Sequence, residues 1–375
     1  MLGGNLHLSL MIGPVVPVPV PRAVVDALQS VTVRRSTDEP SGFQMVFDLD
    51  SGSPLTTLLT LLGQVGPTIR VVLTVTVSGI PTVLMDGVVT NHQVSPDPAT
   101  GRSTLTVSGT DLTTVMDLVS ATGIPYPGMP RVARAAAIIA KYAVFGMIPL
   151  TIPSVVVDVP IPTERVPTHQ GTDLAYLKQM AEEVGYVFYV DPGPAPLANT
   201  AYWGPEIKVG PPQPALTVNM DGHTNVESLT FDFDGDAAVL PLVFVQEPTT
   251  KAAIPIPIPS ANPLSPPLGA IPPLPARVEM LRDTARLNPA QAIMQGLARA
   301  SETADAVSGT GSLDVMRYGH VLKARRLVGV RGAGPAFSGL YYVDSVTHNL
   351  RRGAYTQDFT LTRNGLVSTV PRVPV

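Results

Sequence analysis

In a chain of 375 residues without cysteine, any reactive group has to be a histidine, a carboxylate, a hydroxyl or a lysine. Thiolate metal sites and disulfides are excluded from the start. The six histidines, His7, His92, His169, His223, His320 and His348, are scattered, and no two flank a glutamate at the helical spacing of a zinc protease. Each reads singly as structural or solvated. Asp232, Asp234 and Asp236 resemble a calcium loop at first sight, but Gly235 falls at the wrong place and no glutamate stands at the twelfth position. Their alternation with Phe231 and Phe233 is that of a polar strand face running into a turn. A dinucleotide cradle beginning at Gly332 would need glycine at 337, where Phe337 stands, so Gly329 to Gly339 reads as a loop joining two strands. There is no Walker lysine and no Gly-x-Ser-x-Gly elbow. Glu182 and Glu183 are neighbours on one helix, roughly 100° apart, and cannot flank one bond. The expectation is a protein that is not an enzyme and carries no metal or cofactor.

Composition points to assembly. Hydrophobic residues make up 45% and charged residues 14% of the chain, against about 25% charged in an ordinary globular domain, so much of the surface is expected to be covered by partners. The net charge of −4 comes without any basic tract; nucleic acid is not an expected partner. The N-terminus lacks a basic region before its apolar stretch, which argues against a signal peptide. The run from Val132 to Leu150 is broken by Arg134, Lys141 and Gly146, short of the roughly 20 clean residues of a membrane span. The reading is a chain made in the cytoplasm, with no direct membrane insertion.

Glycine (32) and proline (40) punctuate many short segments, as in β-rich domains. Period two places Phe43, Met45, Phe47 and Leu49 on one strand face, opposite Gln44, Asp48 and Asp50. It also turns Ile69, Val71, Leu73, Val75 and Val77 inward with Arg70, Thr74, Thr76 and Ser78 outward. Leu229, Phe231 and Phe233, and Tyr355, Phe359 and Leu361, form two further inward sets. Helices are predicted over 53–63, from Ser53 as cap to Gly63; over 131–146, with Val132, Ala136, Ile139 and Ala143 on one face; over 173–184, between Thr172 and Gly185; and from Asn288-Pro289 onward, with Ile293, Leu297, Ala300, Ala304 and Val307 on one side. A strand, 186–191, follows the third helix. Between Glu247 and Arg277 the prolines exclude helix and central strand. This stretch reads either as an apolar segment lying on a neighbouring subunit or as a polyproline-like linker.

Three stretches carry a resemblance. Residues 171–191, GTDLAYLKQMAEEVGYVFYVD, resemble the helix-then-strand signature of phage late control protein D and of the hub portion of type VI valine-glycine-repeat spike proteins. Residues 337–348, FSGLYYVDSVTH, followed by GAYTQDFTLTRN at 353–364, are similar to the family's closing pattern. Weaker matches are Leu84–Thr90 before Gly109-Thr-Asp111, and Val226–Gly235. The positions that carry the likeness are Gly109, Asp111, Leu177, Gly185, Tyr186, Gly339, Tyr342, Val346, His348, Tyr355 and Asn364, expected to serve packing and hydrogen bonding rather than ligand binding.

The resemblance implies a β-rich α+β fold: two tube-type β-barrel-like domains, a helix-containing middle domain and a Pro-rich insertion. The expected division is 1–112 for the first tube domain, 113–204 for the middle domain, 205–246 with 312–370 for the second tube domain, and 247–311 for the Pro-rich and helical insertion. It implies a structural baseplate hub of a contractile phage-tail-like injection system, a homotrimer that adapts a sixfold inner tube to a threefold spike. Partners would be two further copies of the chain, the inner tube protein, a separate spike protein and other baseplate proteins, in a particle that is cytoplasmic, membrane-attached or released. Two other readings stand beside it: a tail-tip protein of a non-contractile tail that binds a target surface, which exposed aromatic clusters would favour, and an envelope-degrading enzyme, which would need paired carboxylates.

Overall fold

The structure, a computed structural model, describes residues 6–49, 69–97, 102–154, 159–163, 166–246, 252–259, 266–281 and 289–370. The helix expected over 53–63 lies outside the described residues. Alternating apolar residues become strands: β1 (Leu6–Pro14), β2 (Val18–Pro19), β3 (Leu28–Ser36), β4 (Gly42–Leu49), β5 (Ile69–Val77), β6 (Ile80–Asp97) and β7 (Arg102–Asp111) in the first part of the chain. Phe43, Met45 and Phe47 are buried at 4%, 0% and 0% exposure, the inward set that the period-two spacing requires.

The second half repeats this arrangement. It contains β11 (Gln213–Thr217), β12 (Ser228–Phe233), β17 (Val307–Asp314), β18 (Leu327–Arg331), β19 (Gly339–Arg351) and β20 (Ala354–Arg363). The first unit runs β3-β4-β7-β6-β5-β1 across the sheet and the second β12-β17-β20-β19-β18-β11. Corresponding strands thus occur in the same order in space and in sequence. The last pair differs, antiparallel for β1 with β5 and parallel for β11 with β18. The two units are fused: β19 pairs antiparallel with β3, from Ser345 opposite Ser36 to Arg351 opposite Ser30. The result is one sheet of 13 strands whose apolar faces merge into one core, with Val33, Met45, Leu105, Val346 and Tyr355 all at 0% exposure.

A middle segment packs on the back of this sheet. It is built from the helices Arg131–Ala140 and Asp173–Glu182 and a three-stranded sheet, β8 (Met147–Thr151), β10 (Asn199–Gly204) and β9 (Val187–Pro192). Thr172 caps the second helix, its hydroxyl accepting from Ala175 N at 3.2 Å, and Gly185 closes it with φ +68°. Trp203 is fully buried at the centre, edge-on to Tyr186 at 5.1 Å, its indole N–H donating to Leu177 O at 3.2 Å. Burying an indole removes roughly 200 Å² of surface, on the order of 5 kcal/mol at about 25 cal/mol/Å².

Several expectations need correction. The face of β5 expected to point outward is also covered: Arg70 and Thr74 are buried at 2% and 8%, because the middle segment lies over it. The helix from Arg131 stops at Ala140, and it buries Arg134, Ala135, Ile138 and Ile139 rather than the stripe through Val132 and Ala136. Arg134 goes inward to meet the Tyr176 hydroxyl. The helix Pro289–Thr303 ends before Ala304 and Val307 and buries Gln291, Ala292, Gly296, Ala300 and Ser301. Phe233 is 41% exposed, since β12 lies at the edge of the sheet. The strand after Gly185 begins at Val187, one residue later than expected.

The Pro-rich stretch folds on its own chain. β13 (Val239–Gln246), which the expected division gives to the second tube domain, leaves the large sheet. It pairs instead with β14 (Ala253–Pro257) and β16 (Arg277–Met280). Its Val243 packs with Ile258 and with Ala292 of the helix Pro289–Thr303. The prolines of β14 are tolerated because, among the described residues, that strand has a partner on one side only. A further strand, β15 (Gly269–Ile271), pairs with β21 (Leu366–Ser368).

Candidate assembly interface

The two units meet at the seam between β3 and β19. On the β3 side, Val31 and Val33 are 1% and 0% exposed; on the β19 side, Val346, His348 and Leu350 are 0%, 3% and 2% exposed. His348 Nδ1 lies 2.8 Å from the Tyr355 hydroxyl and 3.1 Å from Gln357 Nε2. The Gln357 amide also accepts from Leu322 N at 3.0 Å and donates to Leu322 O at 2.8 Å, so its second N–H points at the imidazole. Burial, and then the nearby Arg35 guanidinium, pull the His348 pKa from 6.5 down to about 3, which keeps the ring neutral and Nδ1 an acceptor. Burial pushes the Tyr355 phenol far up. These are groups fixed in one protonation state, not a poised acid and base.

Arg35 stands opposite Val346 and reaches the Asp191 carboxylate on β9, tying both units to the middle segment. Burial lowers its pKa, with Asp191 opposing that shift. Nearby, Asp344 accepts from the Thr37 hydroxyl, and burial raises its carboxyl pKa. The Arg325 guanidinium lies 4.2 Å from the centre of the Tyr189 ring and donates to Thr37 O at 3.3 Å. Below it, Lys208 pairs with Asp305 at 2.6 Å and Glu206 at 3.5 Å, and stands 5.2 Å from the Tyr342 ring centre. Burial alone would depress Lys208, yet its two carboxylate partners hold it above the ordinary lysine value. Burial raises Tyr342 as well.

The positions singled out in the sequence divide among four places. Val346, His348 and Tyr355 belong to the seam, whereas Tyr342 lies on the half of β19 that pairs with β18, beside Leu268 and Leu327. Leu177, Gly185 and Tyr186 belong to the middle segment, where a Cβ at Gly185 would stand 2.7 Å from Met294 O and the Tyr186 hydroxyl donates to Pro153 O at 3.1 Å. Gly109 and Asp111 end β7. A Cβ at Gly109 would meet Val88 O at 2.1 Å and the Phe43 ring at 2.5 Å, while Asp111 caps the following 3-10 turn through Thr113 N at 3.0 Å. Gly339 opens β19 at φ +140° against Ser368. Asn364 Oδ1 accepts from Leu268 N and Gly269 N at 2.8 and 3.2 Å, clamping the Pro-rich stretch to the second unit.

Sequence reading missed two buried clusters. Arg70, Asp86 and Asn199 join β5, β6 and β10. Asp173 accepts from Lys141, Tyr142 and His169 at 2.7, 2.7 and 2.8 Å; the four-residue spacing of His169 and Asp173 across a helix start was the available signal. The other histidines, His7, His92, His223 and His320, are exposed. Asp232, Asp234 and Asp236 lie at an exposed strand edge and turn, where Asp234 accepts from Asp236 N at 2.9 Å. The segment after Gly329 does join two strands, β18 and β19. Among the described residues no three His, Asp or Glu side chains converge as a metal site would require, and no helix is long and apolar enough to cross a membrane.

No family model matches the chain and no curated protein matches it in sequence. Solved structures do. A tail protein from Neisseria meningitidis MC58 superposes with a TM-score of 0.64 at 14% identity, over 97% of this chain and 98% of that one. The 43 kDa tail protein of prophage MuSo2 from Shewanella oneidensis gives 0.61 at 12% identity, over 95% and 98%. The E. coli c3393 protein, a component of the type VI secretion system, gives 0.53 at 10% identity, over 93% and 78%. The chain therefore has the fold of these tail proteins and of that type VI secretion component.

Proposed function

We propose that this chain is the structural baseplate hub of a contractile phage-tail-like injection system. In this reading three copies form a ring that offers six near-equivalent β units to a sixfold inner tube, while the opposite face accepts a threefold spike. The supporting observation is the repetition of one six-strand order twice in a single chain, joined edge to edge. A trimer of such a chain is a pseudo-hexamer, which resolves the mismatch between the two symmetries. In this reading the two units are the tube domains, the second without β13 and with β17, whose first residues from Val307 fall in the stretch expected as the insertion. The low proportion of charged residues suits extensive subunit contact, and the role is mechanical rather than catalytic.

Imaging of purified particles tests this directly. The expected result is one ring of three chains, with six β-rich units, seated between tube and spike. A ring of six chains, or a single copy at the tip, overturns it.

A further inference from the structure

The seam between the two units has a counterpart that the chain leaves open along the outer half of β6 and at β12, one end of its sheet. In the second unit β19 carries a bulge at Asp344, between the pairs Val343 with Leu361 and Ser345 with Thr360. Beyond the bulge, Ser345–Arg351 pairs with β20 on one edge and with β3 on the other. In the first unit β6 carries its bulge at Thr90, between Val89 with Gly109 and Asn91 with Ser108. Beyond it, 91–97 pairs with β7 on one edge. Its other edge has no partner among the described residues, because β5 reaches only to Val88. The two segments paired beyond the bulge are equally long, 91–97 in β6 and 345–351 in β19. At the far end of the sheet β12, which stands where β3 stands, pairs among the described residues only with β17.

Exposure follows the same correspondence. In the closed seam Val346 and His348 are 0% and 3% exposed. Their counterparts in β6, counted from the bulge, are His92 and Val94; both are exposed, Val94 at 41%. On β12, Phe233 is also 41% exposed. Unpaired strand edges flanked by uncovered apolar side chains invite another strand.

We propose that β6 of one copy adds antiparallel to β12 of the next, repeating between subunits the pairing that β19 and β3 make within one. The ladder fixes the register. Gly109 and Leu361 are equivalent, each facing the residue before a bulge; Phe43 then Val33 lie across from the first, Gly309 then Phe231 across from the second. Val33 faces His348, so Val94 faces the partner subunit's Phe231, Gln93 the partner subunit's Asp232, and His92 the partner subunit's Phe233. Pro96 lacks one ladder donor near the end of β6. The contact is heterologous, head to tail, and closes only as a ring. Its closure at three copies rests on the hub reading above.

The absence of native cysteine makes disulfide trapping a direct test. Gln93 and Asp232 are both exposed, and directly opposed antiparallel residues have Cα atoms about 4.5–5.5 Å apart, within disulfide reach. Under mild oxidation the Gln93→Cys, Asp232→Cys double variant is expected to give covalent dimers and trimers on a non-reducing gel. A mixture of the two single variants should give covalent dimers only. The Arg34→Cys, Thr347→Cys variant, across the internal seam, should close within one chain. Moving one cysteine from 232 to 230 should slow trapping at least tenfold. Trimers by light scattering, or in the particle, without trapping overturn the pairing and leave the hub reading standing. Ladders running past the trimer uphold the pairing and overturn the hub. A chain that neither associates nor traps, alone or in the particle, overturns both.

Discussion

Arg70 and Asp86 form a two-pronged ion pair between neighbouring strands β5 and β6, with Nε to Oδ1 at 2.7 Å and Nη2 to Oδ2 at 2.6 Å. Both side chains are buried, at 2% and 0% exposure. Arg70 also donates to Phe145 O at 2.7 Å and Val15 O at 3.1 Å, while Asn199 Nδ2 donates to Asp86 at 2.8 Å. The pair thereby pins the middle segment to the back of the first unit.

Removing one partner strands the other in a dry site. Arg70→Met is expected to lower unfolding free energy by about 3–5 kcal/mol, the usual consequence of leaving a buried charge unpaired. Asp86→Leu added to it should recover a substantial part, since two apolar groups leave no orphaned carboxylate. Urea denaturation of the single and double variants measures both. A double variant as unstable as the sum of its singles would mean that the site acts through packing alone.

His348 makes the fold acid-sensitive. Its pKa falls from 6.5 to about 3 on folding, so between those values the unfolded chain binds a proton that the folded chain excludes. Stability from this group is fully present above about pH 6.5 and declines as pH falls toward 3, by at most about 1.4 kcal/mol per pH unit. The His348→Gln variant should be less stable at pH 8 but lose stability less steeply between pH 6 and 4. Denaturant midpoints across that range check it; parallel slopes for variant and parent would remove His348 from the account.

Which features could be read in advance follows from the range of the interaction behind each. Phe43, Met45 and Phe47 alternate within one strand, and burial on one face is legible from the spacing. The Thr172 cap and the Gly185 exit are likewise local, each set by a few bonds. Arg70 was misread for the opposite reason: at its position in the alternation it belongs on the solvent face, and only the middle segment, whose Phe145 and Asn199 are distant in sequence, makes that face an interior. The pairing of β3 with β19 joins residues more than 300 apart, and nothing in either strand's own pattern specifies its partner. The Pro-rich stretch was legible by exclusion, as neither helix nor central strand. Its use as edge strands within its own chain depends on β13 leaving the large sheet, which no local rule requires.

Asn364 gives that stretch its firmest anchor. One carboxamide oxygen takes the two successive N–H groups of Leu268 and Gly269, and Leu268 itself is 7% exposed beside Leu327 and Tyr342. Truncation leaves two largely buried donors unsatisfied, so Asn364→Ala is expected to cost about 1–3 kcal/mol and to speed amide exchange at Leu268 and Gly269 well beyond that at Val243 in the small sheet. Asn364→Asp retains an acceptor in the same place and should restore slow exchange. Equal acceleration at Val243 would mean that the substitution loosens the chain generally, whereas a change confined to Leu268 and Gly269 isolates the clamp.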